Sequence, residues 1–337
     1  MVLKRSVVMA ALQNQTVKEV PASFWRHFAL NEFTDAQVHS GTIETNLNGH
    51  KEYYQKVGVD FAKTMLDGYF PYPFHGVDNP RYLDDLKKLQ PITLDDPWLI
   101  GQVELARHQR RLLGSQPMFV TIFSPLILLK WSLIEHYAEP LELADARFTD
   151  LYQQDPALVK EVLEIIAQDQ IKVVQSLMNQ TDIDGIYYST QEIQDSRLND
   201  IQFFNQVMEP IDQLVEVGIN QVSPLNILHI CGFAGATNHL EWYTDYPLQV
   251  VNWATTVDGY TLGEGKNLFH DKAVLGGLDN DFQGILYAGT KKEIQETVKR
   301  LIDEAGKQGV LIGADCTVPR DISYEHLNWA IEAAHQA

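Results

Sequence analysis

Asn226-Ile227-Leu228-His229-Ile230-Cys231-Gly232 is a short apolar run that ends on polar, reactive side chains. Its β-branched and aliphatic residues favour an extended strand. Apolar residues at both Ile227 and Leu228 put apolar side chains on both faces, as in a strand covered on two sides. Working outward, comparable runs occupy residues 61–65, 117–123, 183–189, 248–253, 272–278 and 309–313, with a weaker one at 21–28. With 226–231 that makes eight candidate strands.

The segments between them carry helical signals. Asp155-Pro156 offers an N-cap followed by proline at the first helical position, ahead of Leu158, Val162, Leu163, Ile166, Val173, Val174 and Leu177. Thr290 and Glu293 have the form of a capping box, followed by Ile294, Val298, Leu301 and Ile302 and then Gly306 as a stop. A third helix is expected over 200–217, ending at Gly218. Doubly covered strands alternating with helices imply a parallel sheet. Eight units over 337 residues predict a single (β/α)₈ barrel spanning 1–337, with an open doubly wound sheet as the runner-up. No Gly/Ser- or Pro-rich linker divides the chain. A helical extension is expected before the first strand. The weakly patterned stretches 30–55 and 68–116 are expected to form helical insertions or lids over one end.

The balance of 26 Lys+Arg against 45 Asp+Glu gives a formal net charge of −19. Phosphate neutralisation needs clustered basic residues, and the densest runs are only Lys87-Lys88, Arg110-Arg111 and Lys291-Lys292, so no nucleic-acid partner is expected. The apolar start, 1–11, carries Lys4 and Arg5 inside it and lacks a separate cleavage region, unlike a signal peptide. Pro125 and Lys130 interrupt 117–134, the nearest approach to a membrane span. A soluble cytoplasmic protein without a membrane partner is expected.

In such a barrel, chemistry sits at the C-terminal ends of the strands. Residues i and i+2 of a strand share a side, so His229 and Cys231 both face inward at the top of the fifth. Cys316 follows the eighth, in Asp315-Cys316-Thr317-Val318-Pro319. Two cysteines so far apart are no secreted disulfide framework. Barrel closure would bring all three together. One imidazole and two thiolates with an open fourth position form a catalytic zinc donor set. The same residues also suit a packed strand end, with two small buried thiols and a hydrogen-bonded histidine.

The order of these motifs resembles the uroporphyrinogen decarboxylase superfamily, which also contains zinc-dependent methyltransferases that move a methyl group from a corrinoid protein to a thiol such as coenzyme M. The resemblance runs from Arg5-Ser6-Val7-Val8-Met9-Ala10-Ala11-Leu12 and Val20-Pro21 through Gly58-Val59-Asp60-Phe61 and Ser124-Pro125. It continues to His229-Ile230-Cys231-Gly232, Gly276-Gly277-Leu278-Asp279 and the Cys316 turn. It implies a single (β/α)₈ barrel, and a His-x-Cys…Cys zinc motif at His229, Cys231 and Cys316. The decarboxylase branch matches less well. Trp25-Arg26 begins its arginine-rich motif, but the second arginine is missing. Asp67 follows Asp60 at the spacing of its catalytic aspartate. Its Leu-Asp-Trp strand reads Val251-Asn252-Trp253, and its Gly-His-Gly turn reads Ala314-Asp315-Cys316.

What the resemblance implies is a methyltransferase using Zn²⁺ and methylcobalamin carried by a separate corrinoid protein, with a small thiol as acceptor. The alternative is a cofactor-free decarboxylase of uroporphyrinogen or a related tetrapyrrole, with Asp67 stabilising positive charge on a pyrrole and Arg26 contacting a carboxylate. A third is a non-catalytic barrel that binds a tetrapyrrole or a partner. Tyr187, Tyr188, Ser189 and Gln191, at the end of the fourth strand, and Asp279 are further candidates for substrate contact, beside the ordinary roles of barrel filling and helix capping. Asp67 is equally the type of residue found in a solvated turn. His239 and Glu241 are expected on a helix, without a catalytic part.

Overall fold

The computed structural model describes residues 2–136 and 138–337; Met1, the first residue of the apolar start, and Tyr137 lie outside it. Every candidate strand forms: β1 (Ala22–Ser23), β2 (Ala62–Thr64), β3 (Met118–Phe123), β4 (Gly185–Thr190), β5 (Ile227–Ile230), β6 (Val250–Trp253), β7 (Ala273–Leu278) and β8 (Val310–Ala314). All ladders are parallel, in the order β1-β8-β7-β6-β5-β4-β3-β2. The β1–β2 seam is closed without a ladder. Asp60 N–H donates to the Ala22 carbonyl (3.0 Å), Ala22 N–H donates to the Asp60 carboxylate (2.8 Å), and the Ser23 hydroxyl donates to the Phe61 carbonyl (2.6 Å). The chain is a single (β/α)₈ TIM barrel, and the open-sheet alternative is set aside.

The helices are α1 (Arg5–Leu12), α2 (Thr42–Lys56), α3 (Leu83–Leu86), α4 (Pro97–Leu113), α5 (Pro125–Ser132), α6 (Glu142–Gln154), α7 (Pro156–Gln180), α8 (Ile201–Phe203), α9 (Glu209–Val222), α10 (Leu262–Leu268), α11 (Ile285–Ala288), α12 (Lys291–Ala305) and α13 (Tyr324–Gln336). Local chemistry sets their starts. Asp155 caps α7 through Leu158 N–H, Ser124 caps α5 through Ile127 N–H, and Thr290 with Glu293 forms the full capping box of α12. Gly306, at φ 79°, ends α12.

Two expectations about helices need correction. Gly218 does not end its helix. The run passes through a π-turn at Phe204–Met208, just before Pro210 removes a helical N–H, and continues to Val222. Gly218 serves packing instead, since a Cβ there would stand 2.8 Å from the Ile171 side chain of α7. The stretches 30–55 and 68–116 are not wholly insertions: α2 and α4 are the crossovers into β2 and β3. Of the segments before these helices, Glu32, Phe33 and Phe70 line the cavity at the top, whereas Tyr72 and Ile92 bond to Asp169 of α7. His239 lies outside the short 3₁₀ turn Leu240–Tyr243 that carries Glu241, and pairs with Glu192 at 2.8 Å.

The lower interior is apolar. Phe61, Phe119, Ile227, Val250, Ala273 and Leu311 form one buried cluster with Val8, Ala11 and Leu12 of α1. The amphipathic α1 thereby seals the end where the strands begin. Asp60 ties this base together, accepting from Leu3 N–H (2.7 Å) and pairing with His335 of α13 (2.7 Å). The opposite end is left open to chemistry.

Candidate metal centre

The ends of β5 and β8 meet. Cys231 Sγ lies 3.8 Å from Cys316 Sγ, and Cys316 Sγ lies 3.5 Å from His229 Nε2. The donor atoms of all three lie within 4.8 Å of one another. Two sulfurs at about 2.3 Å from a tetrahedral zinc stand ~3.8 Å apart, and a sulfur and an imidazole nitrogen ~3.5 Å. Both separations match those values, so the residues fit one zinc ion with a fourth position left over. Among the described residues this is the group of histidine, cysteine and carboxylate side chains placed to hold a metal ion.

Local structure explains the convergence. His229 is inward-facing at 3% exposure, and Cys231 comes two residues later at 8%. Gly232 lets the following turn pass the end of β6, where a Cβ would meet Ala254 Cβ at 2.6 Å. Phe233 N–H, inside that turn, points at Cys231 Sγ (3.4 Å). Asp315 anchors the other turn: it accepts from the Thr255 hydroxyl (2.7 Å) and from Thr256 N–H (3.0 Å) and hydroxyl (2.9 Å), which carries Cys316 towards β5. Hydrogen bonding from Cys231 holds the Cys316 thiol well below its ordinary pKa, with help from His229 and Lys63 and against the cost of burial.

Below the thiols the inward layer is polar. The Tyr187 hydroxyl donates to Asn252 Oδ1 (2.6 Å), and Asn252 Nδ2 donates to the Leu275 carbonyl (2.8 Å). The His229 ring lies 5.4 Å from Tyr187. Lys63 Nζ sits 4.7 Å over the Tyr187 ring and 5.4 Å over Trp25, and touches Met65 Sδ at 3.0 Å. Burial pulls its ammonium down to about 8, against the opposing pull of Cys316, Cys231 and Asp67. Lys63 therefore still carries its charge near neutrality.

The three donors line a narrow cavity together with Lys63, Ser189 and Gln191 and an aromatic wall that includes Phe33, Phe70, Trp131 and Phe233. It is continuous through His27, Glu32, Phe233, Cys316 and Thr317 with a wider depression. That outer rim carries Asp279, Asp281 and Asp321 besides Arg320, whose guanidinium pairs with Glu32.

The other residues singled out from sequence are dispersed. Asp67 is buried behind the cavity, not on its lining. It accepts from His27 Nδ1 (2.6 Å), Phe28 N–H (2.7 Å) and Ala29 N–H (3.0 Å). Burial works to raise its pKa, but the charge and hydrogen bond of His27 and the two amides outweigh it and hold the carboxyl at about 2. It is a fixed carboxylate that positions His27, which does line the cavity. Arg26 is also off the lining: its guanidinium lies 5.3 Å over both Phe28 and Tyr324 and donates to the Arg320 carbonyl. Tyr188 faces outward, because β4 alternates and Tyr187 takes the inward side; its hydroxyl donates to Asp212 of α9 (2.7 Å). Asp279 reaches the outer rim only, where it accepts from Asp281 N–H (2.8 Å). Of the candidates at the end of β4, Ser189 and Gln191 line the cavity, whereas Lys63 and His27 were not foreseen from sequence. Lys63 had a visible signal, as the charged member of the inward series Phe61, Lys63, Met65.

The profile of the uroporphyrinogen decarboxylase (URO-D) family matches residues 57–337. The chain belongs to that family. As the order of motifs implied, this URO-D member also resembles solved methyltransferases. A methyltransferase from Methanosarcina mazei superposes with a TM-score of 0.66 at 15% identity, over 100% of this chain and 99% of that one. A B12-independent methionine synthase from Shewanella sp. W3-18-1, in complex with selenomethionine, gives 0.57 at 15% identity, over 96% and 97%. An endo-1,4-beta-mannanase from Eisenia fetida gives 0.50 at 11% identity, over 93% and 92%. At these identities the likeness is one of fold. No curated protein matches the chain. Among the described residues no helix is long and apolar enough to cross a membrane.

Proposed function

We propose that this URO-D family barrel is a zinc-dependent methyltransferase that moves a methyl group from a methylcobalamin on a separate corrinoid protein to a small thiol. The observation that carries this is the His229–Cys231–Cys316 cluster, whose separations suit one zinc ion and whose three donors line the cavity. When bound, zinc supplies a Lewis-acid position that keeps an added thiol deprotonated near neutral pH.

The chain's own residues do the rest. His229, Cys231 and Cys316 hold the ion, and the Phe233 amide supports the Cys231 sulfur. Lys63 places a positive charge beneath two thiolates, where a third negative sulfur would otherwise be opposed. Phe33, Phe70, Trp131 and Phe233 shield the acceptor from water on one side. The inner cavity has room for a small thiol, and the wider depression is where a much larger corrinoid can be presented. The cytoplasm is the compartment proposed, since free thiols persist there.

The lining of the cavity does not favour the tetrapyrrole decarboxylase. A porphyrinogen carries many carboxylates, whereas the rim is rich in Asp279, Asp281 and Asp321, and neither Asp67 nor Arg26 lines the cavity. Zinc content decides the matter. Protein purified without chelator is expected to hold one zinc per chain, and Cys231→Ala to lose it. Absence of zinc from the wild-type protein, with no thiol-dependent demethylation of methylcobalamin by absorbance, would falsify the proposal.

A further inference from the structure

Lys130 is fully buried on α5, beside the site yet off its lining. A buried ammonium is costly unless it is paired and hydrogen-bonded. A residue needed only to fill space there would be leucine or methionine, as its neighbours Leu128 and Leu129 are. Its contacts show what it does. Nζ donates to Gln191 Oε1 at 2.5 Å and to Asp145 Oδ1 at 3.2 Å. Asp145 is in turn fixed by Gln194 N–H at 2.8 Å.

A glutamine amide can turn either end towards a neighbour. Facing a group that only donates, Gln191 must present its oxygen to Lys130, and its –NH₂ is forced to the opposite side. There it donates to the Cys231 carbonyl (3.1 Å) and the Phe233 carbonyl (2.9 Å). Asn238 Nδ2 supports the Cys231 carbonyl from another direction (3.2 Å). The clamp spans the turn whose Phe233 N–H points at Cys231 Sγ. On the cavity side, Trp131, the residue next to Lys130, packs edge-on to Phe233 with centroids 5.6 Å apart. Helix α5 therefore grips the same turn from behind and from the front.

We propose that Lys130 and Gln191 form a positioning relay that sets Cys231 in metal-ligand geometry, Lys130 acting only through the orientation of Gln191. This rests on the zinc reading of the site. Groups that orient first ligands typically change metal affinity by about 10–100-fold when removed.

The test is a cycle of Lys130→Met, Gln191→Glu and the double variant. It is read by zinc affinity in chelator competition and by the sulfur-to-metal absorption of the Co²⁺-loaded protein. Gln191→Glu keeps Lys130 paired, so folding is retained, but it turns carboxylate oxygens towards two carbonyls. Each single variant is expected to bind zinc about 10–100-fold more weakly and to lose intensity in the Co²⁺ thiolate bands. The double variant should be no worse than the weaker single, since the two residues act in series. If Lys130→Met does not fold, Gln191→Glu decides alone. Wild-type affinity and spectrum in Gln191→Glu, or losses that multiply in the double variant, overturn the relay while leaving the zinc site standing. A wild-type protein that binds neither zinc nor Co²⁺ overturns the reading of the site, and the relay with it.

Discussion

Asp67 shows how a single residue can keep its motif spacing and change its part. Its position after Asp60 marked it as a catalytic carboxylate, but the fold hides it at 2% exposure and gives its oxygens to His27 and two amides. Its pKa falls from 3.8 to about 2, below the unfolded value. Its contribution to stability is therefore complete above about pH 4 and is lost as pH falls through 2, to a total of about 2 kcal/mol. Asp67→Asn is expected to lower the melting temperature at pH 7 and to flatten the acid limb of the stability curve between pH 4 and 2. Zinc content should not change. Loss of catalysis with unaltered stability would return Asp67 to the chemistry. At this scale the sequence revealed residues whose type and place are both unusual: two lone cysteines and a histidine at strand ends. The end of the fourth strand marked Gln191 only as a possible substrate contact, and His27 carried no mark, because their roles depend on which neighbour turns towards them in space.

At the scale of elements, legibility followed periodicity. Strands buried on both faces and helices with a proline start or capping box stood out, because those signals lie within a few residues of one another. Gly218 misled because glycine ends a helix when it takes a positive φ and continues one when it makes room for a neighbour. Gly265 is of the second kind. It lies in α10 against β6, where a Cβ would stand 2.1 Å from Trp253 Cζ2. In an isolated helix Gly265→Ala would stabilise by up to ~1 kcal/mol. Here the overpacked indole is expected to reverse the sign, at a net cost of about 1–3 kcal/mol in chemical denaturation. An increase in stability would show that α10 can lift off the barrel freely. Tyr188 makes the same point for strands. The apolar run located β4, but when both faces are buried, composition does not say which face is inside.

For the whole molecule, closure was the inference that sequence supported by counting, and the seam was the part it left open. Between β1 and β2, side chains and loop amides stand in for a ladder, and Asp60 is their centre. It joins the N-terminal segment, β1 and α13 through Leu3, Ala22 and His335. Asp60→Ala leaves three partners without an acceptor in a buried place, and a loss of about 3–5 kcal/mol is expected. Hydrogen exchange should show the loss at both chain ends together; protection lost at one end alone would mean that the ends are held independently. The helix that Asp60 helps to seat has a further effect. With α1 covering the base, access to the barrel is from the top, and in the proposed reaction the small reactant would lie deeper than the large one. Under the methyl-transfer proposal, the acceptor would have to enter before the donor covers the opening, and the methylated product would wait until the donor departs. On that proposal, an architectural plug at the bottom would impose a queue at the top.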